Sequence, residues 1–308
     1  MKYIWFVVSI SVAAPFAMAQ DLFAKKSMFS QFEPVAEKFQ KLDKKNTIGE
    51  YPTLQPADGM QVVLSKVNFS TGAVVPLGRV VAFGSKGNKL HIAVDTTANL
   101  NQTASSDWTD TPCKREDFLW KRSVGGRFKD ANCVSINHHV NYFVNTTGEF
   151  QQIAVYAKDQ GIEIPPTIIR VSFTRYGSDG RRLVYLVDVN PELYGIERDA
   201  TTPWGSNGWY KDFVKRDAKK VEFLERLKKW ATDVQDRMDD AFAKSPRAFA
   251  GLNSLDEYLS PSSKTEPTKT DPDSQTEGKL VKLKALYEKG LLTEAQYNEQ
   301  VRAILTGN

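Results

Sequence analysis

Two apolar stretches, Thr167 to Tyr176 and Arg182 to Val189, flank the short connection Gly177-Ser178-Asp179-Gly180. Ile169, Val171 and Phe173 alternate in the first, and Val184, Leu186 and Val187 supply the apolar positions of the second. A period of two sends successive side chains to opposite faces of a strand, and a glycine-bounded connection of this length fits a hairpin turn. A chain containing this pair must build a sheet with one or both faces covered. The remaining segments are read against that requirement.

Further strand signals run from Met60 to Phe69, Ala73 to Phe83 and Lys89 to Val94, separated by Ser70-Thr71-Gly72 and by Gly84-Ser85-Lys86-Gly87-Asn88. Their β-branched content favours strands over helix. The stretch from Cys113 to Val144 carries aromatic and β-branched residues and should add more strands. Helical spacing marks Phe150 to Gln160, closed by Gly161, and a longer stretch from about Lys211 to Ala243. In the latter Leu224, Leu227, Ala231, Val234, Met238 and Ala241 step by three and four, as in a helix laid over a sheet. A similar pattern over Asp21 to Lys45 (Phe29, Phe32, Val35, Ala36, Phe39, Leu42) predicts an N-terminal helix with Pro34 near its start. The expected class is therefore α+β: a largely antiparallel sheet with one disulfide, N-terminal and long covering helices, a linker and a C-terminal helical hairpin.

Met1 to Ala19 reads as a cleaved signal peptide: Lys2, then an apolar run from Ile4 to Ala14, then Ala17-Met18-Ala19 as the small-x-small cleavage site. That run is shorter than the ~20 residues a spanning helix needs. The chain is expected to be exported to the periplasm or medium, without stable membrane insertion. Its net charge of +4 is spread along the 308 residues, which argues against nucleic acid as a partner. Cys113 and Cys133 are the only cysteines. In an oxidising compartment they are expected to pair, since redox-active thiols usually occur as C-x-x-C.

Signs of chemistry are sparse. Neighbouring His138 and His139 would point to opposite faces of a strand, so a shared metal ion is not expected; one buried and one exposed histidine fits better. Gly84 to Lys89 lacks phosphate-loop spacing and leads into a strand, so it reads as a turn. Trp204 and Trp209 on a glycine-rich loop could stack on a sugar or peptide, or pin the loop to the core. The compositionally richest segment places Trp120, Arg122, Arg127, Asp130, Asn132, Asn137 and His138 near Cys133, and forms the candidate polar pocket. No catalytic residue, metal or cofactor is assigned from the sequence.

Residues 260–277 have the Ser/Pro/Thr/Lys/Asp composition of a disordered linker, spanning roughly 25 Å on average as a flexible coil. Beyond it, Leu280, Leu283, Leu286 and Tyr287 share one helical face, Gly290 suits a C-terminal cap, and Thr293 with Gln296 has capping-box spacing. Leu291, Tyr297, Val301 and Ile304 continue the apolar surface, and these eight apolar positions are the expected partner-binding residues. So short a hairpin needs a surface to dock on. The pattern carried by Leu280, Leu283, Leu286, Tyr287, Gly290, Leu291, Leu292, Thr293 and Glu294 resembles the SHOCT module, a short domain usually found at the C-terminus of bacterial proteins. The resemblance covers residues 278–308 and implies a bacterial source and an accessory role such as oligomerisation, but no activity. The expected function is that of an exported, non-catalytic protein that binds or scaffolds protein partners, or itself, through the hairpin. The alternatives are a cofactor-independent hydrolase with its site between Trp120 and His139, or a carrier of a small apolar ligand.

Overall fold

The computed structural model describes residues 20–26, 32–69, 75–101, 108, 111–124, 130–143, 149–199 and 207–260, together with 293, 296–297 and 301. The chain divides into two compact units, Met1–Leu259 and Ser260–Asn308. The segment expected to be a signal peptide, nearly all of the expected linker and most of the expected terminal hairpin lie outside the described residues.

Among the described residues the first unit is built on a seven-stranded sheet. Its strands are β6 (Gln61–Phe69), β7 (Pro76–Lys86), β8 (Lys89–Asn99), β9 (Trp120–Ser123), β10 (Asn132–Val140), β11 (Thr167–Tyr176) and β12 (Arg182–Val189). They lie in the order β6-β7-β8-β12-β11-β10-β9, every neighbour antiparallel. The hairpin expected between Thr167 and Val189 is present, with Gly180 at φ +82 and its N–H donating to the carbonyl of Gly177 at 3.0 Å. Gly87 turns β7 into β8 at φ +58, where a side chain would strain the backbone. The sheet thus joins two meanders, β6-β7-β8 and β9 to β12, through the pairing of β8 with β12. After β8 the chain must therefore travel from the middle of the sheet to its far edge before β9 can form.

One face is a continuous apolar core. Val134, Ile136, Val171, Phe173, Tyr185 and Val187 meet Phe223, Leu227, Trp230 and Val234 of helix α3 (Ala218–Gln235). Phe173 and Trp230 meet edge to face at 5.7 Å. Short helices α4 (Met238–Phe242) and α5 (Leu255–Leu259) complete the cover. The covering helix begins at Ala218, later than the expected start near Lys211. Asp217 is extended (φ −111, ψ 105) and its carboxylate accepts from the N–H groups of Lys219 and Lys220 at 3.0 and 3.2 Å, fixing the start. Asp236 and Arg237 separate α3 from α4, so the stripe from Leu224 to Ala241 is carried by two helices.

The N-terminal helix expected between Asp21 and Lys45 is absent from the residues described there, and the segment is extended. Strand β1 (Gln20–Asp21) pairs in parallel with β4 (Asn46–Ile48), which turns into β5 (Tyr51–Pro52), and β2 (Phe23–Lys25) pairs with β3 (Phe32–Pro34). Pro34 disfavours helical geometry at Glu33, and Phe39 sits at φ +72, which no right-handed helix can contain. The apolar spacing does not mark one buried face either. Leu42 is buried, while Val35 and Phe39 stay 47% and 41% exposed. Phe29 lies outside the described residues.

The second face of the sheet is divided. Helix α2 (Glu149–Asp159) buries Ile153 and Ala157 against Val81, Phe83, Ala93 and Ile168. Over β10, β11 and β12 that face is polar and is roofed by the connection from β8 to β9. Helix α1 (Thr111–Lys114) of that connection is fastened by the Cys113–Cys133 disulfide, whose Cα atoms are 5.7 Å apart. Such a bond suits an oxidising environment, and among the described residues no helix is long and apolar enough to cross a membrane. With a sequence separation of 20, the bridge should contribute about 3 kcal/mol. Urea unfolding of the oxidised protein against the Cys113→Ser/Cys133→Ser variant should show a stability loss of that size.

Candidate functional site

The polar part of the second face forms the floor of a cleft of about 750 Å³. Its geometry follows from strand register. Asn137, Arg170 and Asp188 lie in one row across β10, β11 and β12. Ser135, Ser172 and Leu186 form the next row, and Cys133, Thr174 and Val184 the one after. Because the pleat alternates, all these side chains emerge on the face that α3 does not cover. Cys133 belongs to the third row, so the disulfide rises from the floor itself and holds Thr111, Pro112, Arg115 and Phe118 above it.

Arg170 and Asp188 are directly opposite each other, 7% and 3% exposed, and joined by two hydrogen bonds, Nε to Oδ1 at 2.6 Å and Nη2 to Oδ2 at 2.7 Å. Burial disfavours the guanidinium charge, but the Asp188 carboxylate and the Tyr142 hydroxyl more than compensate and hold its pKa above the ordinary range. The Tyr142 ring also lies 4.2 Å from the guanidinium carbon. Arg79 and Asp95 make a second two-bonded pair, at 3.0 and 2.6 Å, further along the same face.

His139 lines the cleft near Arg170 and meets Tyr142 edge to face at 4.9 Å. Burial first, then the positive charge of Arg170, with His138 and Arg115 adding, pushes its pKa down to about 3. At neutral pH it is an uncharged donor and acceptor. Among the described residues it makes no hydrogen bond to a serine or a carboxylate, so the nucleophile–base–acid chain of a serine hydrolase is not assembled here.

At the other end of the cleft stands Arg182. Its guanidinium carbon lies 4.9 Å from the Trp108 ring and 5.5 Å from the Tyr176 ring. Trp108 is held by its indole N–H, which donates to the carbonyl of Gly180 at 2.7 Å. Among the described residues Arg182 makes no ion pair, and its Nε is buried without a hydrogen-bond partner. Arg115, by contrast, is paired with Asp117, the one acidic residue of the lining. With Arg170 neutralised by Asp188 and His139 uncharged, Arg182 is the surplus positive charge of the cleft.

The residues expected to line a polar pocket are distributed over several places. Asn137 is in the cleft, its Oδ1 accepting from the His138 N–H at 2.9 Å. His138 is buried on the opposite, helix-covered face, 1% exposed. Trp120 packs against the helix-side core. Arg122 donates to Gln235 at 3.1 Å and Asp236 at 2.7 Å, tying the edge strand to the end of α3. Asn132 bonds Gln235 and Asp239, Asp130 pairs with Arg175, and Arg127 lies outside the described residues. Ser135, His139, Arg170, Ser172, Thr174 and Arg182 were not singled out as pocket residues. Their signal was polar residues at every second position of otherwise apolar strands.

Elsewhere, Trp209 is buried against Phe223 at 5.8 Å under Lys220, the anchoring role open to it, while Trp204 lies outside the described residues. Of the expected partner-binding positions only Tyr297 and Val301 are described. The capping box is formed: Thr293 Oγ1 accepts from the Gln296 N–H at 3.4 Å, and Gln296 Oε1 accepts from the Thr293 N–H at 3.0 Å. Among the described residues no group of three or more His, Cys, Asp or Glu side chains could hold a metal ion.

The neutral form of His139 is the one the fold favours. Its contribution to stability is complete above the ordinary histidine pKa of about 6.5 and is lost as pH falls from there through about 3. The His139→Gln variant should therefore lose about 1–3 kcal/mol less stability than the parent between pH 6.5 and pH 4.5, measured by urea unfolding at each pH. Comparison of the chain with protein-family models, curated proteins and solved structures gives no match.

Proposed function

We propose that the protein is an exported, non-catalytic binding protein whose cleft takes a small, hydrogen-bonding anion, such as a sugar acid. The observation that carries this reading is Arg182, a guanidinium in the cleft with no carboxylate partner among the described residues. A cation left unpaired beside a polar floor favours a ligand that brings the missing negative charge. Ser135, Asn137, Ser172, Thr174 and neutral His139 supply donors and acceptors for hydroxyl groups. Val184, Leu186 and Phe118 offer the apolar edge against which a sugar ring can lie. The volume of about 750 Å³ falls within the ~300–1,000 Å³ of small-molecule sites. Such a floor suits a polar anion better than an apolar cargo.

Calorimetric titration with glucuronate tests this. Saturable binding is expected, weakened about 10–100-fold by Arg182→Ala, and glucose should bind far more weakly. Equal affinity for glucose, or an unchanged affinity in the variant, would remove the reading.

Export is supported by the signal-peptide pattern of Met1 to Ala19 and agrees with the disulfide. We further propose that the SHOCT-like hairpin joins copies of the chain or docks on a protein partner through Leu280, Leu283, Leu286 and the apolar residues that follow. Deletion of residues 260–308 is expected to lower the mass in solution to that of a monomer, read by light scattering. A full-length protein that is already monomeric would leave self-assembly without support.

A further inference from the structure

A second pocket, about 250 Å³, lies away from the cleft, between the segment around β5 and the loop that follows α4. Its walls are largely apolar, with Pro52 and Leu54 on one side and Phe249 and Leu252 on the other; the polar Thr53 and Gln55 also line it, and their side chains donate to the backbone carbonyls of Asn46 and Leu42. Leu54 is fully buried and Phe249 meets Tyr185 of the sheet edge to face at 5.7 Å. The Tyr185 hydroxyl donates to the carbonyl of Pro52, and the Leu255 N–H donates to the carbonyl of Pro56 at 2.8 Å. Both walls are therefore fastened to the core. Turn hydrogen bonds at Ala250 and Leu252, 2.9 and 3.2 Å long, set the loop that carries Arg247 and Phe249.

The rim has a different chemistry. Lys44, Lys45 and Arg247 line the pocket, and among the described residues no acidic side chain lines it and none of the three makes an ion pair. The adjacent carboxylate, Asp43, is turned to the backbone and accepts from the Lys45 N–H at 3.0 Å. The nearby Lys244 is already paired with Glu50. An enclosed apolar space ringed by unpaired cations is complementary to a molecule with an apolar body and one negative end. The volume is below the ~300 Å³ at which sites for drug-sized ligands begin, so it suits a single short chain or one aromatic ring.

We infer that this pocket binds a small amphipathic carboxylate, with its apolar body between Leu54 and Phe249 and its carboxylate among Lys44, Lys45 and Arg247. The inference is independent of the ligand assigned to the cleft. Octanoate is the probe, titrated into the full-length protein by calorimetry with octanol as the uncharged control. Octanoate should bind saturably and octanol at least tenfold more weakly. The Lys44→Glu/Lys45→Glu/Arg247→Glu variant should weaken octanoate binding by tenfold or more. All three side chains are exposed, so the fold should survive, which circular dichroism checks. Arg182→Ala, in the cleft, should leave octanoate affinity unchanged. Absence of saturable binding, equal affinity for octanol, insensitivity to the charge reversals, or loss of binding in Arg182→Ala would each overturn the inference.

Discussion

Arg170 and Asp188 face each other across β11 and β12 with almost no exposure to water. Removing either partner would leave a buried charge uncompensated, at a cost of about 3–5 kcal/mol. Their bidentate geometry needs the two strands in register, and that register places Ser172 and Thr174 beside Leu186 and Val184 in the next two rows. The pair also sets the electrostatics around it. Its cationic member, with burial, keeps His139 uncharged. Well-packed apolar residues at these positions would often serve stability as well or better, so stability alone does not account for a charged pair in the middle of a sheet.

The division of the second face follows from connectivity. A sheet that joins two meanders through β8 and β12 leaves β9 at the far edge, so the chain must cross β12, β11 and β10 to reach it. That crossing can be packed flat on an apolar floor, as α2 is over β6 to β8, or held above a polar one. Here the floor is polar, and the apolar burial that would otherwise dock the crossing is scarce. The disulfide to Cys133 and the Trp108 bond to Gly180 take over that task. The result is a roof attached at defined points, with only Trp108 and Cys113 among its described residues packed on the small apolar cluster of Ala131, Tyr176 and Val184.

The strands were legible because alternation survives in each of them. Thr167 to Tyr176 and Arg182 to Val189 could be bounded to the residue, and the pairing of the only two cysteines needed no knowledge of the fold. The N-terminal segment misled because Phe32, Val35, Ala36 and Phe39 have helical spacing. The exposure of Val35 and Phe39 and the left-handed backbone at Phe39 depend on how the segment lies against the sheet, which the spacing does not encode. The pocket was misplaced for a related reason. Residues adjacent in sequence from Trp120 to His138 alternate between the two faces of β9 and β10, so a cluster in sequence becomes two sets in space. The cleft draws on three strands and a crossing, and its local trace is the alternation Ser135, Asn137, His139 and Arg170, Ser172, Thr174.

The two cavities make opposite use of positive charge. In the cleft, charges are mostly internalised: Arg170 is spent on Asp188 and Arg115 on Asp117, and among the described lining residues Arg182 is the one arginine without an ion pair. Selectivity there must come from directional hydrogen bonds of the floor, since a single cation flanked by aromatic rings discriminates poorly among anions. In the smaller pocket the polar wall residues Thr53 and Gln55 already donate to backbone carbonyls, and the cations are exposed on flexible stems at its rim. Shape and apolar area would select the ligand body, with charge selecting only the sign of its end. Ionic strength separates the two mechanisms. The rim interactions are solvent-screened and should weaken with salt, whereas a contact to the partly buried Arg182 is shielded by the rings and roof around it.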